Sequence, residues 1–104
     1  MKTYIRSSKR LGMQELRSLS RYGWRENELS KLNSFASRLG ADVEDIGNGY
    51  IRISRYGENL GTFSVYNQHQ AICYNAGGIN NVMETYADNI NEAIGRATDI
   101  LTRE

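Results

Sequence analysis

Few side chains in this chain could carry a reaction. Its one histidine, His69, stands in NQHQ, a polar run that reads as a hairpin tip. Its one cysteine, Cys73, stands in AICYN, where alternation predicts a strand and a thiol packing as a small apolar group. The nearest basic side chains lie far off in sequence, so nothing local would hold Cys73 as a reactive thiolate. One Cys and one His would leave a zinc ion to be completed by carboxylates, and no spacing supplies them. The acids of DVED, Asp42, Glu44 and Asp45, precede GNG in the outline of a calcium loop. That outline fails at Ile46, before the glycine, and at Ile53, where a closing glutamate belongs. The three acids read instead as solvating a strand edge. No serine lies in G-x-S-x-G, and Gly47, Gly49, Gly57, Gly61, Gly77 and Gly78 match neither a P-loop nor a dinucleotide fingerprint. The chemistry expected is therefore recognition: not an enzyme, with no catalytic residue, cofactor or metal.

Arginine and tyrosine are the residues that suit recognition, and one tetrapeptide pairs them twice: SRYG at 20–23 and again at 54–57. Guanidinium forks and phenol rings fit phosphates, bases and protein hot spots alike. Arg21, Tyr22, Trp24 and Arg25 are the first partner-binding candidates, with Arg52, Arg55 and Tyr56 behind them. The flanks of the two copies do not align and no third copy follows, so a solenoid repeat is excluded. Glycine after tyrosine stops an element of either kind, so shared turn chemistry explains the recurrence more simply than a paired site does. Trp24 also fits a core anchor between two helices.

Those residues must be held by elements, and the periodicity changes along the chain. Met13, Leu16 and Leu19 fall at helical spacing after Gly12, and Tyr22-Gly23 ends the run. Leu29, Leu32, Phe35, Ala36 and Leu39 form one apolar stripe from Glu26 to Gly40, capped near Arg25 or Asn27. After Gly40 the period becomes two. Val43 and Ile46 lead into GNG; YIRISRY puts Ile51 and Ile53 on one face, Arg52 and Ser54 on the other. GENLG reads as a turn, TFSVY as a strand with Phe63 and Val65 inward, and AICY as another with Ile72 and Tyr74 inward. The last 25 residues admit one long helix, but a strand at 81–87 and a helix at 89–103 capped by Asp88 or Asn89 are preferred. The expected class is α+β: two N-terminal helices, an antiparallel meander of three to five strands, and a C-terminal helix on the sheet. One domain, 1–104, is expected, with 1–10 a basic arm.

Charge divides this chain. Residues 1–25 carry seven basic side chains and one acid, +6, while residues 26–104 carry six basic and eleven acidic, −5. Such asymmetry speaks to partners, to a basic segment folded over its own acidic body, or to a homodimer of arm against body. Segment 13–34 fits a helix-turn-helix frame with Gly23 in the turn, which would offer Arg25, Asn27, Ser30 and Lys31 to a nucleic-acid groove. Leu19 and Ser18 depart from that frame. The order helix, three strands, helix also resembles a double-stranded-RNA-binding domain. Asp88, Glu92 and Asp99 on the last helix would repel phosphate, leaving only the N-terminal segment to serve. Seven tyrosines and many asparagines equally suit a protein-binding surface, with Arg52, Ser54, Thr62, Ser64 and Tyr66 as an outer-face patch.

A composition of 39% hydrophobic and 24% charged residues reads as globular. No apolar run approaches the ~20 residues of a membrane span. MKTYIRSSKR has no apolar stretch behind it, so no secretory leader is expected, and a lone thiol suits the reducing cytoplasm. In size, lack of catalytic motifs and uneven charge, the chain resembles the small inhibitors that bacteriophages encode against host defences, such as anti-CRISPR proteins. That resemblance implies a non-catalytic inhibitor that occupies a functional surface of a nucleic-acid-processing complex. The alternative is a nucleic-acid-binding protein working through segment 13–34.

Overall fold

The computed structural model describes residues 9–66, 71–76 and 84–102. Two helices open it, α1 (Met13–Ser20) and α2 (Glu26–Leu39). Glu15 reaches back to accept the Gly12 N–H at 2.9 Å, and Glu28 does the same for the Arg25 N–H at 2.8 Å. Each carboxylate satisfies a donor that the helix start leaves orphaned. Both helices end in the same way. The Trp24 N–H donates to the Leu19 carbonyl and the Gly23 N–H to Ser20; the Ala41 N–H donates to Ala36 and the Gly40 N–H to Ser37. These paired bonds are Schellman closures, and they need positive φ at Gly23 (103°) and Gly40 (64°).

Five strands follow in an antiparallel meander: β1 (Asp42–Gly47), β2 (Tyr50–Arg55), β3 (Glu58–Tyr66), β4 (Ala71–Asn75) and β5 (Glu84–Ala87). Helix α3 (Ile90–Leu101) ends the order, and the architecture is α+β. Asn89 caps α3 by accepting the Glu92 N–H at 2.9 Å. The preferred strand-then-helix ending is thus correct over the described residues, and the single long helix is not. Residues 81–83 and 103 lie outside the described residues, as do His69 and most of the basic arm.

GENLG is not the turn that it resembles. The chain reverses at Tyr56-Gly57, between paired Arg55 and Glu58, and β3 has already begun at Glu58. Tyr56 (φ 53°) and Gly57 (φ 80°) both take the left-handed conformation, as the tight primed hairpin turn requires. Leu60 is then squeezed in as a bulge, because Ile53 pairs with Gly61 while Ser54 pairs with Asn59.

Register sorts the side chains into two faces. Ile51 stands opposite Phe63, Phe63 opposite Tyr74, Val43 opposite Ile53, and Val65 opposite Ile72. With the exception of half-buried Val65 these side chains are fully enclosed, together with Leu29, Leu32 and Phe35 of α2 and Ala93 and Ala97 of α3. Phe63 meets Tyr74 at 4.8 Å between ring centres and Phe35 edge-on at 6.1 Å. The opposite face carries Glu44, Arg52, Thr62, Ser64, Tyr66, Cys73 and Tyr86. Cys73 is mid-strand and buried, but on this outer face and not among the helix-covered residues. No helix among the described residues is long and apolar enough to cross a membrane.

Candidate functional site

The first SRYG closes α1, and the loop that it starts is fastened to the sheet. Trp24 is buried, and its indole N–H donates to the Gly49 carbonyl at 2.8 Å. Tyr22 lies over the same glycine: a Cβ on Gly49 would stand 2.8 Å from the Tyr22 Cβ. Gly49 also holds φ at 83°, so this hairpin tip needs glycine twice over. Two aromatic side chains therefore clasp the β1–β2 turn, and the α1–α2 loop becomes a fixed end of the molecule. Trp24 belongs to the core, which removes it from the surface contacts; Tyr22 stays about half exposed.

Around this end stand Arg17, Arg21 and Arg25, all exposed. Among the described residues, none of the three forms an ion pair. Arg17 and Arg21 are four residues apart, with Arg21 still helical at φ −65° and ψ −23°, so they share one face of α1. Beside them α1 and α2 enclose a shallow cleft of about 220 Å³, walled by Met13, Leu16, Trp24 and Leu29. Arg17 was not among the candidates, although its position one turn before Arg21 on a predicted helix could have shown it.

The second SRYG is elsewhere. Arg55 donates to the Leu39 carbonyl at 2.9 Å, tying the end of β2 to the end of α2. Tyr22 and Trp24 sit at the other end of α2, whose 14 residues span roughly 21 Å. Arg21, Tyr22, Arg55 and Tyr56 therefore do not form one basic-aromatic surface. Arg55 is engaged with backbone, and Tyr56, 86% exposed, projects alone from its hairpin.

Arg52 lies on the outer sheet face, where its guanidinium meets the Glu44 carboxylate at 2.5 Å and Lys9 reaches the same carboxylate at 3.2 Å. The Arg52 hydrogen bond, and then that of Lys9, hold the Glu44 carboxyl below the usual carboxylate range. The Lys9 N–H also donates to Asp42, and the Val43 N–H to the Lys9 carbonyl. The DVED acids thus do more than solvate an edge: Asp42 and Glu44 anchor the end of the basic segment on β1, and Asp45 accepts the Gly47 N–H in the turn. Thr62, Ser64 and Tyr66 share the face with Arg52, and Tyr66 meets Tyr86 at 5.0 Å between ring centres. No group of three or more potential metal ligands occurs among the described residues.

The groups that this end presents to solvent are the guanidinium side chains of Arg17, Arg21 and Arg25 and the half-exposed ring of Tyr22. No family model, no curated protein and no solved structure matches the chain.

Proposed function

We propose that this protein is a non-catalytic binding protein, and that it occupies a functional surface of a partner protein through the clasped α1–α2 end. The observation that carries this is the set of three exposed arginines, Arg17, Arg21 and Arg25, which form no ion pair among the described residues and stand beside half-exposed Tyr22. Arginine and tyrosine are the side chains that most often dominate protein interfaces. Their backbone frame is ordered in advance by the Trp24–Gly49 hydrogen bond, so on binding the entropy lost is that of the side chains and not of the loop. Arg52 and Arg55, by contrast, are already engaged within the chain.

A second reading keeps the same segment and changes the partner. Arg25, Asn27 and Ser30 are exposed at the start of α2, as contact with a nucleic-acid groove would require. Exposed Glu26 in the first turn works against it, because it faces the same solvent as those groups.

Affinity capture from the source cells, with the wild type beside an Arg21→Glu/Arg25→Glu variant, tests the proposal. A protein retained in stoichiometric amount by the wild type and lost by the folded variant is the expected result. Fluorescence anisotropy with random duplex DNA and hairpin RNA tests the second reading. Binding that weakens with salt at a log–log slope near −3 or steeper would transfer the function to nucleic acid.

A further inference from the structure

The α1–α2 cleft combines an apolar lining with arginines on and beside it. Its walls are apolar, with Met13 69% exposed at the mouth and Leu16 half-buried behind it. Its surroundings are cationic: Arg17 lines it, Arg21 directly follows lining residue Ser20, and Arg25 stands between lining residues Trp24 and Glu26. Residues 9–40 carry seven basic and three acidic side chains, +4, whereas residues 41–102 carry three and eight, −5. The cleft therefore opens on the basic part of a bipolar chain.

Volume narrows the occupant. About 220 Å³ is below the roughly 300–1,000 Å³ of small-molecule sites, but it has room for one or two apolar side chains. A nucleic-acid backbone would satisfy the arginines and leave Met13 and Leu16 uncovered. A helix with one apolar stripe and flanking carboxylates satisfies both sets at once, the way amphipathic helices seat in grooves.

Taking the binding function above as its basis, we propose that this cleft docks an acidic amphipathic helix of the partner protein. An apolar anchor enters between Met13, Leu16, Trp24 and Leu29, and carboxylates pair with Arg17, Arg21 and Arg25. Glu26, on the rim, opposes the same ligand and tempers its affinity.

Trp24 is the one tryptophan and lines the cleft, so its emission reports entry directly. The probe is a blocked peptide of about 16 residues with leucine at i, i+3, i+4 and i+7 and mostly glutamate between. A scrambled peptide of the same composition is the control. The full chain should give a saturable change in emission with the probe and none with the scrambled peptide. Arg17→Glu/Arg21→Glu and Met13→Asp, all at exposed positions that leave folding intact, should each weaken binding at least tenfold. Arg96→Glu, on α3, should leave it unchanged, and Glu26→Gln should tighten it two- to threefold. No saturable change, equal binding of the scrambled peptide, or indifference to the arginine reversals would overturn the assignment. So would duplex DNA producing the same change with the same losses. If a cellular partner is captured through Arg21 and Arg25 while the probe fails, the cleft assignment falls and the binding function stands.

Discussion

At Gly61 the fold depends on a missing side chain. The Tyr74 ring lies across this glycine, a Cβ there would stand 2.3 Å from the ring, and φ is 151°. Tyr74 is fixed in place by donating its hydroxyl to the Leu60 carbonyl at 2.6 Å, the residue that the bulge turns inward. Gly61→Ala should cost at least about 2 kcal/mol, because neither ring nor backbone can yield. In thermal unfolding that is a fall in Tm of roughly 8 °C or more for a chain of this size. Burial also pushes the Tyr74 phenol up to about 12 from its ordinary 10. An unfolded tyrosine ionises near 10 while the folded one keeps its proton, so this stabilisation is whole below pH 10 and lost as pH rises through about 12. Ultraviolet titration should show a late phenol step that Tyr74→Phe removes.

Among the elements, those with local causes could be read directly. Helix α2 matches its apolar stripe and its closing glycine, and the alternation of β2, β3 and β4 matches the enclosed faces. What could not be read depends on chain segments far apart. Nothing near Tyr22 announces that it covers Gly49, and nothing in DVED shows that Lys9 lies across it. The second SRYG does bend a hairpin, as its glycine indicates, but GENLG drew the turn too far along the chain: tight primed turns favour Asn-Gly, and a tyrosine at φ 53° is poor turn chemistry. The β1–β2 turn uses the favoured pair, Asn48-Gly49. Tyr56→Asn should therefore stabilise the hairpin by up to about 1 kcal/mol, which chemical denaturation would register. Lower stability in this variant would mean that the ring contributes contacts beyond its exposed position.

Taken as a whole, the described residues form a sheet with α2 and α3 packed on one face, and three exposed arginines stand around the α1–α2 end. Lys9, Arg52 and Arg55 are spent on internal contacts, while Arg17, Arg21 and Arg25 are not. The charge split seen in the sequence therefore resolves into two parts: Lys9 pairs with Glu44 on β1, and the arginines of the α1–α2 end keep their charge exposed to solvent. The amino-acid pattern offered Arg21, Tyr22 and Arg25 as candidates and ranked a site shared with Arg55 and Tyr56 below coincidence of turn chemistry; the two copies do lie apart, since a shared tetrapeptide carries no information about distance. The measurement that tests the central claim most directly is photo-crosslinking in the source cells, with benzoylphenylalanine placed at Tyr22, Tyr56 or Tyr66 in turn. A protein adduct from position 22 alone, abolished by Arg21→Glu/Arg25→Glu, is the predicted result. Adducts only to nucleic acid, or a protein adduct from position 56 or 66 and none from 22, would contradict it.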